Sequence, residues 1–304
     1  MDAAKHSPTL PQEICAIISQ DPCLQAPDLY SICLVSRSFH AEVERILYVD
    51  ACVKGKRHIK SFCNSVVRRP YIALRIKKMQ LYIPPHLLDL NVDDISKMVR
   101  AFRATSNLED LQILEEDATN DPVYSTYGWV LEDHFFHLRS FINTYFDTNS
   151  LLKFLKLQPT IETLTTKNRD YTSMVPYRID FDLSRLHTLH GSAFIIQALG
   201  MSDWSKNIVR MHIDFTDCVV EDELKTLVLL VKFRSSLESL SVERRDANLG
   251  LDITLFTSCI ATQMPDLKYL RIMDYTETVR DLTFFRSFLI YSLFRRIPIT
   301  LHSL

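Results

Sequence analysis

One short template recurs along this chain and restricts its fold more than any other feature. The pattern is L-x-x-L-x-L with hydrophobic substitutes. It appears as "LEDLQI" (Leu108–Ile113), "IVRMHI" (Ile208–Ile213), "LESLSV" (Leu237–Val242) and "LKYLRI" (Leu267–Ile272). Weaker copies are "ALRIKKMQLYI" around Leu74, "LRSFI" at Leu138, "IETLTT" at Ile161 and "LHTLH" at Leu186. From Leu108 onward the first positions fall at 108, 138, 161, 186, 208, 237 and 267, a spacing of 22 to 30 residues. Period-2 alternation within the template makes each copy a strand. The segments between copies read as helices. "VDDISKMVRAFRA" (Val92–Ala104) places Ile95, Met98, Val99 and Phe102 on one stripe, with Asp93 and Asp94 in the first turn. "EDELKTLVLLVKF" and "LDITLFTSCIATQM" repeat that arrangement before the next strand. Strand and helix alternating at this period predict an α/β solenoid from about Ala73 to the C-terminus, each unit burying its apolar face against its neighbours.

Glycine usage closes other α/β readings. The chain has only five glycines in 304 residues, at positions 55, 128, 191, 200 and 250. None cluster, whereas phosphate-cradling loops need clustered glycines so that backbone amides can approach the anion.

The first fifty residues follow a different plan. "LPQEICAIISQ" opens a helix at Pro11, with Ile14, Ile17 and Ile18 on one face. "DLYSICLVSRSF" (Asp28–Phe39) reads as a second helix without a breaker, and "AEVERILYV" (Ala41–Val49) as a third. Three short helices cannot hide this much apolar surface alone; units this small need a staple, a metal or a partner. No disulfide framework or metal-ligand spacing is present, so a partner is expected.

The remaining chemistry is sparse. Basic and acidic residues nearly balance, 35 against 37, which gives no overall pull toward a polyanion or a membrane. Seven scattered cysteines without a C-x-x-C, and no Asn-x-Ser/Thr, fit a reducing intracellular compartment, cytoplasmic or nuclear. "MDAAKHSPTL" lacks the apolar run of a secretory signal, and "LTFFRSFLIYSLF" (Leu282–Phe294) is too short to span a membrane. Residues 51–88 hold nine Lys or Arg and no acid (Lys54, Lys56, Arg57, Lys60, Arg68, Arg69, Arg75, Lys77, Lys78). That block is read mainly as a solvated linker face rather than a nucleic-acid patch, since aromatic interleaving is thin. His134 with His137 and His187 with His190 have i,i+3 spacing but no third ligand, so they are read as structural. The acidic run Glu115–Asp121 lacks a calcium-loop glycine, and Asp180 with Asp182 has no evident convergent partner. No nucleophile motif is present. No enzyme, metal or cofactor is expected.

Leu10-Pro11-Gln12-Glu13-Ile14, then Asp28-Leu29, Leu34-Val35-Ser36-Arg37-Ser38-Phe39 and Leu47-Tyr48, together resemble the F-box motif. The form is similar to that of fungal F-box proteins with divergent leucine-rich repeats. "HIKSFCNSVVRRPYIALRIKKMQL" (His58–Leu81) resembles the same group, in which a helix ending in Arg-Pro leads into the first repeat strand. The resemblance implies a flexible tail at 1–9, an F-box at 10–49, a basic linker helix at 50–72 and a repeat solenoid at 73–304. The solenoid would be a curved, mainly parallel sheet with helices on its convex side. It implies a non-catalytic substrate adaptor of a Skp–cullin–F-box ubiquitin ligase. Leu10, Pro11, Ile14, Leu29, Leu34, Val35 and Phe39 would contact the Skp-type adaptor, some of them packing internally instead. The repeat strands would hold a protein target. Strand alternation turns Asp110 and Gln112, Arg210, His212 and Asp214, Ser239, Ser241 and Glu243, and Tyr269, Arg271 and Met273 away from the core. Their mixed charge suits a protein surface. A repeat scaffold without ligase recruitment is the alternative.

Overall fold

The computed structural model describes residues 10–84, 92–115, 130–131, 134, 136–167, 181–200, 207–216, 218–245 and 250–275. The expected tail at 1–9, the acidic run beyond Glu115, Asp180, and the apolar and terminal segments after 275 lie outside the described residues.

Nine strands form one sheet: β1 (Asp50–Lys54), β2 (Lys78–Ile83), β3 (Asp110–Glu115), β4 (Ser140–Asn143), β5 (Thr163–Thr166), β6 (Thr188–Ser192), β7 (Arg210–Asp214), β8 (Ser239–Arg245) and β9 (Tyr269–Tyr275). Each strand is parallel to its neighbours, and their order in space is their order in the chain. Parallel neighbours need a crossover between them. Helices supply most of these, among them α4 (Lys56–Arg68), α5 (Pro70–Ala73), α6 (Val92–Ala104), α7 (Thr148–Leu155), α8 (Ala193–Gly200), α9 (Val220–Leu230) and α10 (Ile253–Gln263). α4 packs on α6, α8 on α9 and α9 on α10. The order is compatible with the solenoid that the spacing predicts.

The template explains the sheet residue by residue. Its fourth position is buried in every strand: Ala51, Met79, Leu111, Phe141, Leu164, Leu189, Met211, Leu240 and Leu270. The residue after the first position carries a carbonyl shared by two successive amides of the next unit. Val49 O accepts from Lys77 and Lys78, Lys77 O from Glu109 and Asp110, and Glu109 O from Arg139 and Ser140. The same fork recurs at Arg139, Glu162, His187, Val209 and Glu238, with N···O distances of 2.8–3.1 Å.

The sheet begins earlier than the template suggests. Residues 50–72, expected as a linker, supply strand β1 and helices α4 and α5 to the same layers. Ala51 and Val53 are buried on one side of β1, and Ile59, Cys63 and Val66 of α4 join the core beneath it. The template is disguised here by Tyr48 and Ala51 at its leucine positions. Gly55, at φ 80° and ψ 154°, makes the tight passage from β1 into α4, a conformation open essentially only to glycine.

Three helices precede the sheet: α1 (Gln12–Ser19), α2 (Ala26–Cys33) and α3 (Arg37–Leu47). The single helix expected over Asp28–Phe39 is two. α2 stops at Cys33, and Ser36 caps α3 by accepting from the Phe39 amide at 3.3 Å. The third helix therefore starts at Arg37 rather than Ala41. α3 is the hub, with α1 and α2 both packed on it and Val43 fully buried. Glu44 fastens this unit to the sheet layers, meeting Arg69 at 3.0 Å and Tyr71 Oη at 3.4 Å.

One charge lies where the alternation calls for an apolar residue. Arg244 of β8 faces inward and is 1% exposed. Its guanidinium donates to Glu223 of α9 (2.8 and 3.3 Å), to Asp274 of β9 (3.0 Å) and to the Leu251 carbonyl, and lies 4.7 Å over the Phe256 ring. Glu223 also accepts from the Leu251 amide at 2.6 Å. The cluster joins two strands to two successive helices. Burial raises the Asp274 pKa, while Arg244 pulls it back down. Arg244→Ala should therefore cost about 3–5 kcal/mol in urea unfolding, because the buried Glu223 and the half-buried Asp274 lose their counter-ion. A loss below about 1 kcal/mol would show that the cluster does not hold the layers together.

Candidate functional site

Among the described residues, the sequence-predicted site residues fall on two surfaces. The first is on α1 and α2. α1 is turned inside out relative to its apolar stripe: Cys15 and Ser19 face α3, while Ile14, Ile17 and Ile18 are exposed. Gln12 Nε2 donates to the buried Glu42 at 2.7 Å, so the inward side of α1 is small and partly polar. Leu34 and Val35, in the break between α2 and α3, are 88% and 69% exposed. Leu10, Pro11 and Tyr30 are exposed as well.

Of the seven residues carried over for adaptor contact, Leu10, Pro11, Ile14, Leu34 and Val35 are therefore available. Leu29 and Phe39 are not; both are buried and form the small core of the three helices with Val43. α1 and α2 both pack on α3, and Leu29 and Phe39 are inward side chains of that packing. Ile17, Ile18 and Tyr30 join the exposed set in their place. Cys15 and Ser19 hinted at this, since together they offer α3 a second, smaller face.

The second surface is the side of the sheet opposite its core. Strand register arranges the outward residues in rows. One row runs Asp50, Lys78, Asp110, Ser140, Thr163, Thr188, Arg210, Ser239, Tyr269. The next runs Cys52, Gln80, Gln112, Ile142, Thr165, His190, His212, Ser241, Arg271. Arg210, His212 and Asp214 thus meet Tyr269, Arg271 and Met273 across β8, with Ser239, Ser241 and Glu243 between them. Asp110 and Gln112 lie four strands from β7, roughly 19 Å at ordinary strand spacing. Asp110 is engaged by Lys78 at 3.6 Å.

His190, expected as structural, is part of this surface. It pairs with His212 across β6 and β7, the ring centroids 3.9 Å apart. Both occupy the fifth template position, so aligning "LHTLH" with "IVRMH" places them side by side. His212 Nδ1 lies 3.0 Å from Ser241 Oγ, and its Nε2 lies 3.8 Å from Glu243. Burial first, then the neighbouring His212 and Lys167, push the His190 pKa down to about 4, against a smaller upward pull from Asp214. Burial likewise lowers His212, opposed by Glu243 and Asp214. Of the other histidines, His134 is buried against Phe136 and Phe102, with Nε2 2.6 Å from the Val130 carbonyl. His187 lies on the rim beside Glu162.

The basic block is partly neutralised within the fold. Lys60 pairs with Asp94, Arg69 with Glu44, Lys77 with Glu109 and Lys78 with Asp110. Asp182 accepts from the Ser184 amide at 2.8 Å, a local turn contact. Among the described residues no group of three or more His, Cys, Asp or Glu could hold a metal, and no helix is long and apolar enough to cross a membrane.

The lowered His190 pKa carries a sign. The unfolded chain binds a proton near pH 6.5 that the folded chain takes up only near pH 4, so folding stability falls as pH drops through that window. His190→Gln should lose less stability than the wild type between pH 7 and pH 4.5 in parallel urea titrations. Equal losses would show that His190 is not held neutral by its surroundings.

Compared by sequence with known proteins, the chain matches no family model and no curated protein.

Proposed function

We propose that this chain is the substrate-recognition adaptor of a Skp–cullin–F-box ubiquitin ligase, with α1–α3 docking on the Skp-type adaptor and the sheet face holding a protein target. The observation that carries the reading is the exposed apolar surface of Leu10, Ile14, Ile17, Ile18, Tyr30, Leu34 and Val35 within 26 residues. Surfaces of this kind mark sites of protein association. It coincides with the segment that resembles the F-box motif. The nine-strand sheet supports a leucine-rich-repeat reading of the remainder, with its helices on the convex side.

In this role the chain performs no bond chemistry. One end binds the ligase core and the other a target, so target lysines experience a high effective concentration of the charged conjugating enzyme. Location in the cytoplasm or nucleus belongs to the same proposal.

Co-purification of the full chain with a Skp-type adaptor tests it. Wild type should form a stable complex. Leu34→Asp should weaken it at least 100-fold, because it removes an apolar anchor and places a charge in the contact. Its own urea stability should change by less than about 0.5 kcal/mol, since the side chain is in solvent. No wild-type complex would leave a repeat scaffold without ligase recruitment as the better reading.

A further inference from the structure

Four cations on this sheet's outward side and rim have a carboxylate on an adjacent strand. Lys78 meets Asp110, Lys77 meets Glu109, Arg139 meets Glu162 in two parallel 3.1 Å hydrogen bonds, and Lys268 meets Glu238 at 2.7 Å. Arg210 and Arg271 break this habit. The positions paired with Arg210 hold Thr188 and Ser239, and the position paired with Arg271 on β8 holds Ser241. Neither arginine makes an ion pair or side-chain hydrogen bond among the described residues. Arg210 is exposed and Arg271 half-exposed.

The two arginines stand on either side of β8. Two strand spacings separate them by about 10 Å across the sheet, and two residues by about 7 Å along it. That is within the combined reach of two arginine side chains directed toward the strand between them. The floor there is Ser239 and Ser241, small hydroxyl residues, with Tyr269 beside them. The nearest acids mark the boundaries. Glu238, on the rim, is held by Lys268. Asp214 and Glu243 lie two residues further along their strands. Asp214 already accepts from the Thr216 amide at 2.8 Å, and Glu243 lies 3.8 Å from His212.

We infer that the sheet face over β8 is a site for an anionic side chain of a protein partner, a carboxylate or a phosphate group seated on Ser239 and Ser241 and gripped by Arg210 and Arg271. The guanidinium is suited to this: its planar fork matches either anion with two parallel hydrogen bonds. The Ser239 hydroxyl adds a neutral donor, the Ser241 hydroxyl being engaged by His212 Nδ1 at 3.0 Å, and the small size of both serines lets the partner's chain approach closely. Asp214 and Glu243 fence the far side and repel an anion placed one row too far, which fixes its position. This inference rests on the reading of the sheet face as the target-binding side.

The test uses the isotopically labelled full chain and three hexapeptides acetylated at the N-terminus and amidated at the C-terminus: all-glutamate, alanine with one phosphoserine, and all-alanine. The Nε–Hε resonances of Arg210 and Arg271 should move saturably with at least one anionic peptide and stay still with the alanine peptide. Tighter binding of the phosphoserine peptide assigns the site to phosphate, and tighter binding of glutamate assigns it to carboxylate. R210Q and R271Q should each weaken binding about threefold to tenfold, and the double variant should abolish it. Raising the salt from 50 to 300 mM should weaken it further. Neither anionic peptide shifting these resonances at millimolar concentration, or the double variant binding as well as wild type, would overturn the site. The double variant should still co-purify with the Skp-type adaptor, so failure here and failure of ligase recruitment are separate results.

Discussion

A shared carbonyl at the start of each strand sets the rest of the structure. Val49, Lys77, Glu109, Arg139, Glu162, His187, Val209 and Glu238 each offer one oxygen to two consecutive amides of the following unit. That fork pins every strand to its predecessor at the same register. A slip of one residue would turn each strand's apolar set to solvent. With register fixed, the leucine positions fall in line under the sheet, and the residues between them fall in rows above it. The outward rows have meaning only because of this repetition. His190 reaches His212, and Arg210 and Arg271 flank the same two serines, because successive units hold the same phase.

The three N-terminal helices follow a different logic. A small helical unit can satisfy only one inward face per helix, and α1 spends its inward face on Cys15, Ser19 and a hydrogen bond to Glu42. The isoleucines are left outside. Burying them against α3 would need an element to cover Cys15 and Ser19 instead, and none of the described residues does so. The exposed apolar surface is thus a property of the unit's architecture. Its attachment to the sheet through Val49 and Glu44 places it at the β1 end, whereas Arg210 and Arg271 lie toward the β9 end.

Much of this was legible in the sequence, for reasons particular residues make plain. The helix Val92–Ala104 was readable because Ile95, Met98 and Phe102 recur at helical spacing, and all three are buried. The strands at Leu108, Ile208, Leu237 and Leu267 were readable from undisguised templates. The middle copies are weaker because their sixth position is Asn143, Thr166 or Gly191. Asn143 is fully buried yet satisfied, accepting from the Tyr145 and Phe146 amides and donating to the Phe146 carbonyl. A local hydrogen-bond set replaces a methyl group there, and pattern reading sees only a polar residue. β1 was hidden by Ala51, and the break at Leu34–Ser36 by the lack of glycine or proline. Arg244 could not be read as buried, because its partners Glu223 and Asp274 come from other units. On the candidate sites, alternation found the outward strand residues. It could not divide Leu29 and Phe39 from Leu34 and Val35, since all four are equally apolar and only packing against α3 separates them.

In the proposed role, the apolar outer surface of α1 and α2 is a docking face and the sheet's polar side remains free for a different partner. Hydrogen–deuterium exchange of the full chain, with and without a saturating Skp-type adaptor, tests it most directly. Exchange should slow in peptides covering residues 10–36 and stay unchanged in those covering β5 to β9. Slowing centred on the strands, with residues 10–36 unaffected, would contradict it.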